Sequence, residues 1–148
     1  MRIAVGSDHG GFNLRLAIKA HLIERGYEVV DFGCENKDSV DYPDYALKVA
    51  SAITSGDCEL GVLVCGTGLG ISIAANKVKG IIAAPVSDTF SAEMARKHNN
   101  ANILALGERV VGEGLALKIV DSFFDATFEG GRHAGRVDKI KMIELNNL

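Results

Sequence analysis

Three stretches of this sequence carry side chains that could do chemistry. Cys65-Gly66-Thr67-Gly68-Leu69-Gly70 sets a thiol and a hydroxyl among small residues. Ser7-Asp8-His9-Gly10-Gly11 offers a carboxylate and an imidazole, and the C-terminal stretch holds Arg132, His133 and Arg136. A thiol just ahead of a helix N-terminus has its thiolate favoured, which suits a general base at cellular pH. The plainer reading of Cys65 is a small buried core residue. No second Cys or His stands at ligand spacing in its loop, so no metal is expected there. Residues 66–70 look like an anion cradle, with bare backbone N–H groups aimed outward by the following helix. The spacing is GxGxG, neither the dinucleotide GxGxxG nor a P-loop ending in GK[ST]. Asp88 follows Gly66 at roughly the ~20-residue distance of a ribose-binding acid, so a nucleotide-binding module is the rival reading. Asp8 reads either as a helix N-cap or as a ligand group. Gly10-Gly11 behind it serve a cap poorly and let backbone approach a ligand, which favours the second.

The elements that must position these groups follow from the alternation of short apolar runs with amphipathic stretches, the pattern of a doubly wound α/β fold. Strands are expected at Ile3-Ala4-Val5 and over 27–32, 60–64, 81–84 and 102–106. Helices are expected around Leu14–Leu22 (closed by Gly26), Tyr45–Ile53, Ile71–Ala75, from Ser87 or Asp88 through Met94 to about His98, and over 112–124. In an open parallel sheet the ligand lies outside the carboxyl ends of the strands. The loops after the first and third strands bring Asp8, His9 and Cys65 to that edge. His98 ends a helix, so it belongs at the opposite, amino edge, and so do Arg132 and Arg136, which follow the last helix of the sheet. A strand of ordinary length separates the edges by ~17–20 Å. Two explanations are open: the amino edge is merely basic, with His98 on a helix dipole, or it faces the catalytic edge of a second subunit, as a two-fold dimer allows.

Composition bounds the rest. With 148 residues, 47% of them hydrophobic, the chain is expected to form one domain, 1–148, with an ample core. Glycine is unusually frequent, 17 in all, and clumps at 10–11, 66–70, 107–114 and 130–135. The clumps have no period of three, which excludes collagen. A net charge of −3 gives no field that gathers nucleic acid. No apolar run reaches membrane-spanning length and no signal peptide is evident, so neither nucleic acid nor membrane is an expected partner. Cys34, Cys58 and Cys65 form no CxxC pair, and their odd number fits reduced thiols in a cytoplasmic protein.

Six segments, in order along nearly the whole chain, resemble the ribose-5-phosphate isomerase type B family, which also holds galactose-6-phosphate and allose-6-phosphate isomerases. They are Ser7-Asp8-His9-Gly10-Gly11, Asp41-Tyr42-Pro43-Asp44, Cys65-Gly66-Thr67-Gly68-Leu69-Gly70-Ile71, Ala75-Asn76-Lys77-Val78, His98-Asn99-Asn100-Ala101-Asn102 and Gly130-Gly131-Arg132-His133-Ala134-Gly135-Arg136. The resemblance implies a Rossmann-like three-layer α-β-α fold with a five-stranded parallel sheet and a C-terminal tail helix reaching a partner subunit. It implies interconversion of ribose 5-phosphate and ribulose 5-phosphate through an enediolate, without cofactor or metal, in a homodimer or dimer of dimers with shared sites. On that resemblance Cys65 is the base and His98 of the partner chain assists ring opening. Asp8, His9 and Asn99 hold the sugar, residues Gly66, Thr67, Gly68, Leu69 and Gly70 form the anion hole, and Arg109, Arg132 and Arg136 hold the phosphate. In one branch of the family a glutamate slightly further along replaces the cysteine; that place is Ile71 here. Paired galactose-6-phosphate isomerases divide the motifs between two chains, whereas this chain carries all of them, so a homo-oligomer can complete its own sites.

Overall fold

Leu60-Gly61-Val62-Leu63-Val64-Cys65 is buried at every position, and a strand buried on both faces must lie inside a sheet covered by helices on each side. That is the arrangement found. The structure is a computed structural model that describes residues 1–146. Its elements are β1 (Arg2–Ser7), α1 (Phe12–Glu24), β2 (Glu28–Asp31), α2 (Tyr42–Thr54), β3 (Leu60–Cys65), α3 (Leu69–Ala75), β4 (Ala83–Pro85), α4 (Thr89–Lys97), β5 (Ile103–Gly107), α5 (Glu113–Phe124) and α6 (Arg132–Leu145). The five strands pair in parallel in the order β2-β1-β3-β5-β4. Strand order reverses between β1 and β3, so the loops after these two neighbours flank the crevice where such sheets place a ligand.

The core divides into two layers. Leu14, Ile18, Leu22, Ala92, Ile119 and Phe123 bring α1, α4 and α5 onto one face of the sheet. Ala46, Val49, Ala50, Ile71 and Ala75 bring α2 and α3 onto the other.

Element boundaries shift from the sequence reading for identifiable reasons. Helix α2 starts at Tyr42 rather than Tyr45, because Pro43 has no N–H to leave unsatisfied and its fixed φ suits a first helical turn. Strand β4 is Ala83–Pro85 rather than 81–84. It lies at the sheet edge, where Asn76 donates to Ala83 O (2.9 Å) and accepts from Ala83 N (2.8 Å), while Asn102 Oδ1 accepts from Ile82 N (2.9 Å). The Asn76 amide thus takes the groups that another strand would pair with, which blunts the edge, while Asn102 adds a bond on the side facing β5. Among the described residues, no helix is long and apolar enough to cross a membrane.

Candidate active site

Cys65 closes β3 opposite Gly107 of β5. Its side chain is buried, 5% exposed, and the N–H of Gly68 donates to Sγ at 3.1 Å. Gly68 caps α3 with φ 80°, a left-handed turn that an L side chain resists. The turn points the Gly68 N–H back at the sulfur. Thr67 Oγ1 accepts from the Leu69 N–H at 3.2 Å. Two of the donors expected to form an anion cradle therefore face their own loop, one toward the sulfur and one fixing the Thr67 hydroxyl. The loop leaves no room beside it: a Cβ on Gly107 would lie 2.6 Å from the Thr67 carbonyl carbon.

The loop after β1 adjoins this one, since Gly10 would place a Cβ 3.1 Å from Gly66 N. The expectation that Asp8 caps poorly is corrected by its contacts. Its Oδ1 accepts from the Gly10 N–H at 2.9 Å and caps a short 3-10 turn, His9–Gly11, that precedes α1. The turn makes a cap useful even before glycines, because it still presents unpaired N–H groups. His9 Nδ1 accepts from the Val40 N–H at 3.1 Å. That bond leaves the neutral ring with its proton on Nε2, as a donor.

Behind the loop, the buried Arg15 ties three segments together. Its guanidinium donates to Ser7 Oγ (2.7 Å) and Cys34 O (2.8 Å), and its Nε lies 3.2 Å from Asp31 Oδ1. Arg109, in the loop after β5, lies against its own chain: its Nη1 is 3.0 Å from where a Gly66 Cβ would be.

Three residues near this edge were given no role by sequence reasoning. Tyr42 packs its ring against Gly70, Glu108 Oε1 accepts from the Leu14 N–H (2.6 Å) at the start of α1, and Val40 fixes the His9 tautomer. Glu108 had a readable signal, a carboxylate at the carboxyl end of a strand. Tyr42 lies in one of the family-like segments, whereas Val40 acts through its backbone and carries no signal at all. Asp88, the candidate ribose acid, instead accepts from the Ser91 N–H at 2.7 Å and caps α4. Its bonds to the helix N-terminus hold its carboxyl below the usual carboxylate range, as hydrogen bonds to a charged form do.

The remaining predicted residues gather at the amino edge, as topology required. His98 caps the C-terminus of α4 with its N–H on Met94 O at 2.8 Å, and exposed Asn99 follows it. The Glu129 N–H donates to Lys97 O at 3.0 Å and so docks the start of the tail beside His98. Arg132 and Arg136 stand one turn apart at the beginning of α6, both exposed, and neither has an ion-pair partner among the described residues. Cations in the first turn oppose the helix dipole, so this pair is set to receive an anion. His133 between them is 9% exposed and stacks on His98, centroids 4.1 Å apart and planes 11° from parallel. Burial lowers its readiness to take a proton, and the His98, Arg132 and Arg136 charges add to the effect against the opposing pull of Glu129.

One chain thus presents a buried thiol among backbone donors at one edge and an imidazole and paired arginines at the other. Its likeness to known proteins is close and extends over the full length. A family model described as Ribose/Galactose Isomerase matches residues 3–140. The chain superposes on a solved ribose-5-phosphate isomerase B of Clostridium thermocellum with a TM-score of 0.98 and 60% identity, covering 100% of both chains. It is 52% identical over 143 residues to the ribose-5-phosphate isomerase B of Escherichia coli (strain K12), 97% of this chain and 96% of that protein. It is also 44% identical over 145 residues to a D-erythrulose-4-phosphate isomerase of Pectobacterium atrosepticum, 97% of this chain and 95% of that protein.

Proposed function

This chain belongs to the ribose/galactose isomerase family, and from that membership we propose that it interconverts ribose 5-phosphate and ribulose 5-phosphate through an enediolate with Cys65 as the base. The observation that carries the role of Cys65 is the Gly68 N–H donated to a buried sulfur at 3.1 Å. That bond fixes the sulfur at the carboxyl edge of the sheet, where an open parallel sheet places its ligand.

The open-chain aldose lies in the crevice between the loops after β1 and β3. The Cys65 thiolate takes the proton from C2. The C–H electron pair becomes the C1=C2 bond, and the carbonyl electrons move onto O1. The thiol returns the proton to C1, and the O2 hydroxyl's proton passes to O1, so that C2–O2 becomes the ketone carbonyl and O1 the product's hydroxyl. Charge on the enediolate oxygens is met by the N–H groups of Gly66, Thr67 and Gly70, which the loop's own bonds leave free of Cys65 and Thr67 Oγ1, and by the Thr67 hydroxyl, and a single preorganised donor of this kind contributes ~2.7–4 kcal/mol. Asp8, through its oxygen not used in capping, and His9, through Nε2–H, position the sugar hydroxyls. Arg109 joins from the same edge.

The furanose form must open first, and the phosphate needs cations that this edge does not supply in sufficient number. A second copy of the chain provides the cations as Arg132 and Arg136, and brings with them His98 for ring opening and Asn99 for the sugar. One chain cannot bring its own two edges together, because a strand of ordinary length keeps them ~17–20 Å apart. The exposed apolar residues Leu69, Phe90 and Val110 near the carboxyl edge and Ile140, Met142 and Ile143 on α6 give such an assembly its contact surface. Arginine suits the clamp because its planar fork matches phosphate oxygens. The three cysteines are free thiols, which fits action in the cytoplasm.

A coupled assay with ribose 5-phosphate, allose 6-phosphate, galactose 6-phosphate and erythrulose 4-phosphate tests the substrate. Ribose 5-phosphate is expected to have the highest kcat/KM, and a higher value for any of the others would overturn the five-carbon assignment.

A further inference from the structure

Glu129 stands between two imidazoles that it does not bond well. Its Oε1 lies 3.3 Å from His98 Nε2 and 3.6 Å from His133 Nε2, longer than the ~2.7–2.9 Å of a charge-assisted N–H···O bond. The ligand-capable atoms of the three residues all fall within 4.8 Å of one another. Two ligands of a tetrahedral ion, each ~2.0–2.2 Å from it, stand roughly 3.3–3.6 Å apart. The two separations to Glu129 fit a ligand shell better than a charge-assisted hydrogen bond, while the stacked pair of rings reaches that arrangement only when one of them turns.

From this spacing and donor set we propose that His98, Glu129 and His133 form a binding site for a divalent transition-metal ion of the zinc class. Two imidazoles and one carboxylate suit borderline-soft divalent ions and leave at least one position open. The backbone is built to bring them together. The Glu129 N–H on Lys97 O pins the carboxylate beside the end of α4. Gly130 and Gly131, at φ 67° and 54°, then turn the chain through a left-handed conformation into α6, so that His133 returns over Glu129. Neither glycine would place a Cβ against a neighbour, so the hand of the turn is what requires them.

Occupancy demands one movement. A metal lies near the plane of each ligating ring, and the two rings are stacked almost parallel. His98, the more exposed of the two, must rotate out of the stack, while His133 stays held. Arg132 and Arg136 repel a cation, so the site binds more weakly than a closed structural zinc centre. It serves no step of the isomerisation. Its consequence is inhibition, because the ion takes the Nε2 that ring opening needs; that consequence, though not the site, rests on the function proposed above.

Titrating Zn²⁺ and Co²⁺ into full-length Cys65→Ala protein tests the site with the soft thiolate ligand removed. The expected result is one ion per chain and cobalt absorption without sulfur charge transfer. Glu129→Gln in the same background should weaken binding at least ~10-fold, with His133→Asn, checked for fold by circular dichroism, as the second variant. No stoichiometric binding, or unchanged affinity in Glu129→Gln, overturns the proposal. With active protein, Zn²⁺ should inhibit turnover of ribose 5-phosphate at the concentrations at which it binds, and Glu129→Gln should shift that midpoint upward. Inhibition that Glu129→Gln leaves unmoved also overturns the proposal, because the ion then acts elsewhere. Glu129-dependent binding without inhibition supports the metal site and counts against the role of His98 in ring opening, so the two failures are distinguishable.

Discussion

The two edges of this sheet solve different problems with different materials. On the proposed function, the carboxyl edge must hold a base to within a fraction of an ångström of the position from which it reaches the substrate carbon. The chain uses backbone for this: a buried sulfur, a Gly68 N–H turned onto it, and a loop wedged so tightly against β5 that Gly107 can carry no side chain. On the same proposal the amino edge grips a phosphate, where charge matters more than exact placement. There the chain uses long exposed arginines on a helix turn and a glycine pair surrounded by open space. A group whose position is critical is built into the sheet, whereas a group whose charge is critical can stand at the end of a flexible side chain.

The largest expected effect separates the edges outright. Cys65→Ala should lower kcat by at least ~10³-fold, in the range typical of positioned acid–base groups, while ribose 5-phosphate still binds by calorimetry. His98→Asn should lower turnover of the cyclic substrate. If the two edges meet only between chains, mixing these variants after subunit exchange restores about one quarter of wild-type activity in a two-site dimer, since half the dimers are mixed and each holds one intact site. No recovery in verified mixed dimers would place both edges at one chain's own site.

Removing the clamp comes next. Arg132→Ala or Arg136→Ala should raise KM roughly 10–100-fold, because a hydrogen bond to a charged group contributes ~1.5–3 kcal/mol, with a smaller change in kcat. Equal losses in kcat would mean that these arginines act at the reacting atoms.

Glycine substitutions probe the same contrast through stability. Gly107→Ala should cost about 1–3 kcal/mol by overpacking against Thr67. Gly130→Ala should cost about 1–2 kcal/mol, from the left-handed backbone alone. Asparagine tolerates that conformation, so Gly130→Asn should recover part of the loss in urea melts while Gly107→Asn recovers none.

The smallest effect lies on α4, the strut that starts beside the carboxyl edge and ends at His98. Asp88→Ala removes its N-cap and should lower Tm by a few degrees. The Asp88 carboxyl is held below its usual range in the folded protein. Its contribution is therefore present above the unfolded value near ~3.9 and is lost as pH falls through the folded value. The variant should show a shallower loss of stability on acidification in that window. An unchanged slope would deny the cap any role.

Much of this was legible along the chain because the relevant physics is local. The alternation of apolar runs with amphipathic stretches named the fold class, since period and burial are properties of neighbouring residues. The same pattern put Cys65 at a strand end and His98 at a helix end, and topology alone assigned them to opposite edges. What the sequence could not express are bonds between segments far apart in number. Glu108 meets Leu14 across 94 residues, Val40 reaches His9 across 31, and the Arg109 guanidinium settles over Gly66. The reading of Asp8 turned instead on a local detail, the insertion of a 3-10 turn before α1 that gave its carboxylate an N–H to cap. Side-chain type and local period decide which element a residue joins; which distant donor it meets is decided only when the packed layers bring the ends of different strands together.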